Sequence, residues 1–187
     1  MTFYKIIYIR SDGGGMVLLK KRQLVSLIAP PGASEDQLRS TARTVQFWAD
    51  RKFLLPIGGK TRGKDFRFDL LEARLAIVCG RLKQMGLSSF CLEQLILSLR
   101  TDHERSATSA LDLALDPVHV RRERVLIVLR YVPDADLFAV DSNIDPDNLQ
   151  QIAQPRIDAN EILMVLPLDS WFAPLRAVPG NTSGEKE

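Results

Sequence analysis

Apolar positions along the chain change their period several times, and each change marks an element. Phe3 to Ile9 concentrates aromatic and β-branched residues and stops at Ser11-Asp12-Gly13-Gly14-Gly15, which predicts a strand closed by a turn. Val17 to Ile28 places apolar residues on both sides of a basic centre, Lys20-Lys21-Arg22, and stops at Ala29-Pro30-Pro31-Gly32. That pattern predicts one helix of about three turns. Ser34-Glu35-Asp36-Gln37 has the form of a capping box: the Ser34 hydroxyl can accept from the Gln37 amide while the Gln37 side chain reaches back, and the two acids suit the positive helix end. In the helix that starts there, Leu38, Ala42, Val45 and Ala49 recur at helical spacing with Trp48 and Phe53 alongside. Arg39, Arg43, Gln46 and Arg51 fall largely off that stripe. Leu54-Leu55-Pro56 marks the expected end.

Ile57 to Phe68 predicts a short hairpin whose glycine-containing tip carries Lys60, Arg62 and Lys64. Asp69 can cap a following helix in which Leu71, Leu75, Val78, Leu82 and Met85 alternate spacings of four and three, and Gly86 stands where a left-handed C-terminal cap belongs. Ser88 or Ser89 starts another helix bearing Leu92, Leu95, Ile96 and Leu99. Residues 101–110 are polar and small. Leu111, Ala114 and Leu115 suggest one short helix ended by Pro117, and Arg124–Val132 and Glu161–Leu168 are strand candidates. Pro133–Asn148 is a turn-rich acidic stretch. Its aspartates between Asp141 and Asn148 lack the glycine and terminal glutamate of a calcium loop, so a solvated loop is expected.

The composition, 45% apolar and 26% charged over 187 residues, excludes disordered, collagenous and disulfide-scaffold chains. The formal net charge of +2 conceals a division: residues 1–105 hold 18 basic and 10 acidic residues, and the remainder holds 7 and 13. A basic front joined to an acidic back points to an anionic partner for one part. Cys79 and Cys91 match no zinc spacing and read as small buried hydrophobes, and His103 and His119 read as surface residues remote from any acidic or cysteine ligand set. No metal site or cofactor is therefore expected. The N-terminal run has no signal-peptide form, and the apolar stretches are far shorter than the ~20 residues a membrane helix needs, so the expectation is a cytoplasmic protein without membrane contact. Paired carboxylates, a Ser/His/Asp set and a phosphate-binding glycine loop are not apparent in the sequence, which argues against an enzyme and leaves no candidate catalytic residue.

A helix with basic positions on its outer face, followed by a basic hairpin, is the arrangement of a winged helix-turn-helix, and residues 10–67 carry 12 basic and 5 acidic residues. Thr44-Val45-Gln46-Phe47-Trp48-Ala49, followed by Phe53-Leu54-Leu55-Pro56, resembles the recognition helix of MerR-type regulators. Arg67-Phe68 resembles the family's wing-closing Arg-Tyr, and Leu75 through Gly86-Leu87-Ser88 to Ile96 resembles its next helix pair. Gln46 and Ala49 stand where the family has Arg and Glu, and Phe66 replaces a wing Arg. The segment from Ser34 to Thr44 is longer than usual, which leaves open an extended helix or a break near Ser40-Thr41.

The expected fold class is mainly α with a short β-wing, a winged helix-turn-helix of four to five helices, plus a small α+β C-terminal domain. Residues 1–15 would form an N-terminal arm, 16–101 the DNA-binding domain, 102–179 a dimerisation or partner-binding domain, and 180–187 a disordered tail. The resemblance implies that Arg43, Thr44, Gln46 and Phe47 face double-stranded DNA from the helix and Arg67 from the wing; Arg39, off the apolar stripe of the same helix, is a further candidate DNA contact. Gln46 is suited to adenine, while Lys60, Arg62 and Lys64 at the tip and Lys20, Lys21 and Arg22 on the first helix suit phosphate. The expected function is a sequence-specific transcription regulator acting as a homodimer. The alternative is a non-enzymatic adaptor or an architectural or recombination factor, with the acidic half available to a protein partner.

Overall fold

The computed structural model describes residues 17–58, 66–105, 109–116, 125–132, 137–141 and 162–176. The strand expected at Phe3–Ile9, the hairpin tip, His119, most of the acidic loop and the tail from Gly180 lie outside the described residues. The chain divides into two compact units, Met1–Arg81 with Pro174–Glu187, and Leu82–Ala173. The fold is mainly helical, with a small two-stranded antiparallel sheet in the first unit and a three-stranded one in the second.

The first unit corrects the expected three-turn helix. Leu19–Lys20 is a strand, β1, and only Lys21–Ile28 is helical, α1. Leu19 pairs with Phe68 of β2 (Arg67–Phe68), and both side chains are withdrawn from solvent. The Lys21 N–H donates to the Phe66 carbonyl at 3.1 Å. Extending the helix back through Leu19 would give up that pairing. Gln23 closes the start of α1 by accepting the Lys20 N–H through Oε1 at 2.7 Å.

Helix α2, Glu35–Asp50, begins as the capping box predicts: Gln37 N–H to Ser34 Oγ is 3.3 Å and Ser34 N–H to Gln37 Oε1 is 2.8 Å. It runs unbroken through Ser40-Thr41 and buries Val45 and Trp48. It ends at Asp50, before the expected Leu54-Leu55-Pro56, because Lys52 adopts φ 62°. Phe53 N–H then reaches the Trp48 carbonyl at 2.8 Å and Lys52 N–H the Ala49 carbonyl at 3.1 Å, the two bonds of a Schellman terminus. The accompanying apolar contact is Phe53 against Phe47, edge to face with centroids 6.2 Å apart. A lysine thus stands where glycine normally does.

Ile57 bridges Arg67, its N–H donating to the Arg67 carbonyl at 2.7 Å, so the two feet of the expected hairpin meet. Asp69 Oδ1 accepts the Glu72 N–H at 2.8 Å and starts α3, Leu70–Gln84. From Glu72 to Gly80 every residue of α3 is buried, so the helix is enclosed on all sides rather than along one stripe, and Met85 at the end of the expected stripe is 58% exposed. Gly86, at φ 94°, ends α3 as predicted, with Leu87 N–H on the Leu82 carbonyl at 3.1 Å.

In the second unit Ser88 Oγ accepts the Cys91 N–H at 3.2 Å and caps α4, Ser89–Arg105, which buries Leu92, Leu95, Ile96 and Leu99 and continues into the polar stretch that begins at residue 101. Cys79 is buried, whereas Cys91 is half-buried with its sulfur accepting from Ser88 Oγ at 3.1 Å, a correction to its reading as a core residue. Ser109 caps the short α5, Ala110–Leu113. Strand β3, Leu126–Val132, is the centre of an antiparallel sheet ordered β4-β3-β5, with β4 at Leu137–Asp141 and β5 at Ile162–Pro167. Leu129 lies opposite Val140 on one side and Met164 on the other. β4 falls inside the stretch expected to be a loop. Its four apolar residues are too few to announce a strand without the neighbour that pairs with them. Two short helices, α6 (Leu168–Trp171) and α7 (Ala173–Arg176), follow β5.

A Cβ added to Gly80 of α3 would fall on the Ile28 side chain of α1. Gly80→Ala is therefore expected to lower stability by about 1–3 kcal/mol although alanine is the better helix former, and Ile28→Ala in the same chain should cancel part of the loss. Denaturant unfolding of the two single variants and the double variant checks this.

Candidate nucleic-acid interface

The β1–β2 pair sorts its residues by strand alternation. Leu19 and Phe68 face the core, while Lys20 and Arg67, which are direct register partners, are both exposed on the other face. Like charges directly opposite one another destabilise a sheet pair. Neither Lys20 nor Arg67 has an acidic partner among the described residues, so the pair forms a cationic point without local compensation.

Lys21, next along the chain, behaves differently. It is half-buried, and its Nζ donates to Gln46 Oε1 at 2.7 Å, which brings the β1–β2 pair alongside α2. Gln46 Nε2 in turn donates to Asp50 Oδ1 at 3.0 Å. Arg39 is occupied as well, at 3.1 Å from Glu35 and 3.6 Å from Asp36, all three side chains well exposed. Such surface pairs add little stability, of the order of 0–1 kcal/mol, but they offset charge. Arg43 is exposed and has no ion pair among the described residues. Thr44 is half-buried. Phe47 is 41% exposed, with the Arg51 guanidinium 5.6 Å above its ring.

The outer face of α2 is accordingly mixed, not basic. Glu35 and Asp36 neutralise Arg39 and occupy the positive end of the helix dipole, where a phosphate would otherwise be favoured. Among the described residues, Lys20, Arg22, Arg43 and Arg67 are exposed cations without an ion pair. Lys60, Arg62 and Lys64 lie outside the described residues. Sequence reasoning missed Asp50 and named Arg51 only as an outer-face residue of the helix. The four-residue spacing of Gln46 and Asp50 was a visible signal for the first, whereas the Lys21–Gln46 contact joins residues 25 apart and has no local signature. A shallow cavity of about 400 Å³ lies beside the C-terminal end of α2, lined by Ala49, Asp50, Lys52, Leu55, Pro56 and Phe66 among others.

The second unit holds a cluster the sequence did not suggest. His103 Nδ1 is 3.1 Å from both Ser109 Oγ and Asp112 Oδ2, which corrects the reading of His103 as remote from acids. Ser109 Oγ also donates to Asp112 Oδ2 at 2.7 Å and accepts the Asp112 N–H at 3.3 Å. A hydrolytic triad needs hydroxyl and carboxylate on opposite nitrogens of the ring. Here both meet one nitrogen and the serine is 1% exposed, so the cluster is the N-terminal cap of α5.

Among the described residues no group of three His, Cys, Asp or Glu side chains could hold a metal ion, and no helix is long and apolar enough to cross a membrane. No protein-family model matches the chain, and the search of curated proteins finds no match.

Lys52 carries the cost of a left-handed backbone that glycine adopts freely. Lys52→Gly is expected to raise stability by about 1 kcal/mol, net of the extra freedom glycine gains in the unfolded chain. A higher midpoint in thermal or urea unfolding would bear this out, and a lower one would contradict the assignment of the Schellman terminus.

Proposed function

We infer that the first unit is a winged helix-turn-helix that binds double-stranded DNA, and that the protein is a sequence-specific transcription regulator acting as a homodimer. The observation that carries the reading is the Lys20–Arg67 cross-strand pair: two exposed cations held opposite one another with no described acid beside them. An arrangement that costs stability in the free protein is relieved by an anion between or above the two side chains. The order of elements supports the same reading, with α1 packed on α2 and the feet of a basic hairpin following directly. In this scheme α2 enters the major groove with Arg43, Gln46 and Phe47, and Lys20 and Arg67 contact backbone phosphate. The acidic second unit serves dimerisation or a partner.

Two observations favour an adaptor that docks on a protein instead. The N-terminal turn of α2 is acidic, and Phe47, Leu55 and Ile57 are exposed close together in sequence, with Leu55 lining the cavity. The two readings separate in a salt titration of binding to a mixed-sequence DNA duplex. Lys20→Ala and Arg67→Ala should each weaken binding about equally for all sequences and reduce the steepness of log K against log salt by about 1, and together by about 2. Unchanged affinity and slope in the double variant would remove the phosphate role and favour the adaptor.

A further inference from the structure

The amide of Gln46 is gripped at both ends, and we propose that Lys21 and Asp50 are positioning residues that fix its orientation and so determine which base the protein selects. The inference rests on the DNA-binding reading above and adds to it two residues that touch no base themselves.

A glutamine amide on a helix surface ordinarily flips, presenting its oxygen and nitrogen either way round. In Gln46 the oxygen accepts from the Lys21 ammonium at 2.7 Å, and the nitrogen donates to the Asp50 carboxylate at 3.0 Å. Both bonds are charge-assisted. The flipped amide would set its N–H groups against an ammonium and its carbonyl against a carboxylate, so a single orientation remains. An amide oxygen has two acceptor sites and an amide nitrogen two donors, which leaves one acceptor and one donor open on the amide edge. That remaining edge is complementary to the N6 donor and N7 acceptor of adenine in the major groove, and guanine, with acceptors at both N7 and O6, cannot satisfy it. The lock also gives Asp50 a purpose on a face expected to meet DNA: its charge opposes phosphate, yet it supplies the second half of the clamp.

The two clamp residues have opposite charge, and this separates orientation from simple electrostatics. Full-length protein is equilibrated with a duplex library carrying a randomised central segment, and the retained duplexes are sequenced for the wild type, Gln46→Ala, Lys21→Met and Asp50→Ala. The wild type should enrich adenine at one position of each half-site, and Gln46→Ala should erase that preference. Lys21→Met and Asp50→Ala should each reduce the adenine preference at that same position by about 5- to 100-fold, the range of a bidentate base contact, and leave other positions unchanged. Their overall affinities should move in opposite directions, weaker for Lys21→Met and tighter for Asp50→Ala, because one change removes a cation and the other an anion. Adenine preference lost in Gln46→Ala but intact in both clamp variants overturns this proposal and leaves the DNA-binding reading standing. A wild type that retains duplexes without any base preference overturns both the proposal and the claim of sequence-specific binding.

Discussion

The antiparallel pairing of Leu19 with Phe68 is the contact on which the arrangement of the first unit depends. It joins chain segments separated by the whole of α1, α2 and the expected hairpin, and it places both side chains in the core. Since strands alternate faces, burying these two residues obliges Lys20 and Arg67 to project together into solvent. It also ends the strand where Lys21 must turn into α1, anchored by the Phe66 carbonyl, and so delivers the Lys21 side chain to Gln46. The exposed cationic pair and the clamped glutamine are both consequences of one buried contact.

Charge counting along the chain singled out the first unit but overstated how much of its positive charge is uncommitted among the described residues. Arg39 is answered by Glu35 and Asp36, and Lys21 by an amide that is itself tied to Asp50. What distinguishes the surface is therefore placement: Lys20 and Arg67 side by side in register, and Arg43 open on α2. A helix with an acidic first turn gains stability from its own dipole and loses attraction for phosphate at that end. Among the described cations without an ion pair on this face, Arg43 lies within α2 and Lys20, Arg22 and Arg67 lie outside it, none of them in its first turn.

Elements whose cause is local were legible in the sequence. The Ser34 capping box, the Asp69 and Ser88 caps and the Gly86 terminus each depend on residues within one turn, and each is present in the structure. Features that need a distant partner were not. Leu19–Lys20 reads as helix until Phe68 pairs with it, and Leu137–Asp141 reads as loop until β3 lies beside it. The full enclosure of α3 is visible only once Ile28 is packed on Gly80. The early end of α2 was hidden for another reason: left-handed termini are normally announced by glycine, and here Lys52 takes that conformation. Within the candidate site, residue types and the four-residue spacing of Gln46 and Asp50 were legible, but Lys21 as the partner of Gln46, 25 residues away, emerged only from the geometry.

In the proposed function, the face formed by β1, β2 and the outer side of α2 is the surface that meets DNA. Backbone amide resonances of the full-length protein followed by NMR during addition of a duplex test this most directly. If that face meets DNA, shifts concentrate at Lys20, Lys21, Arg43, Gln46 and Arg67, with the strands of the second unit scarcely moved. Shifts absent at low salt, or confined to the second unit, would contradict it.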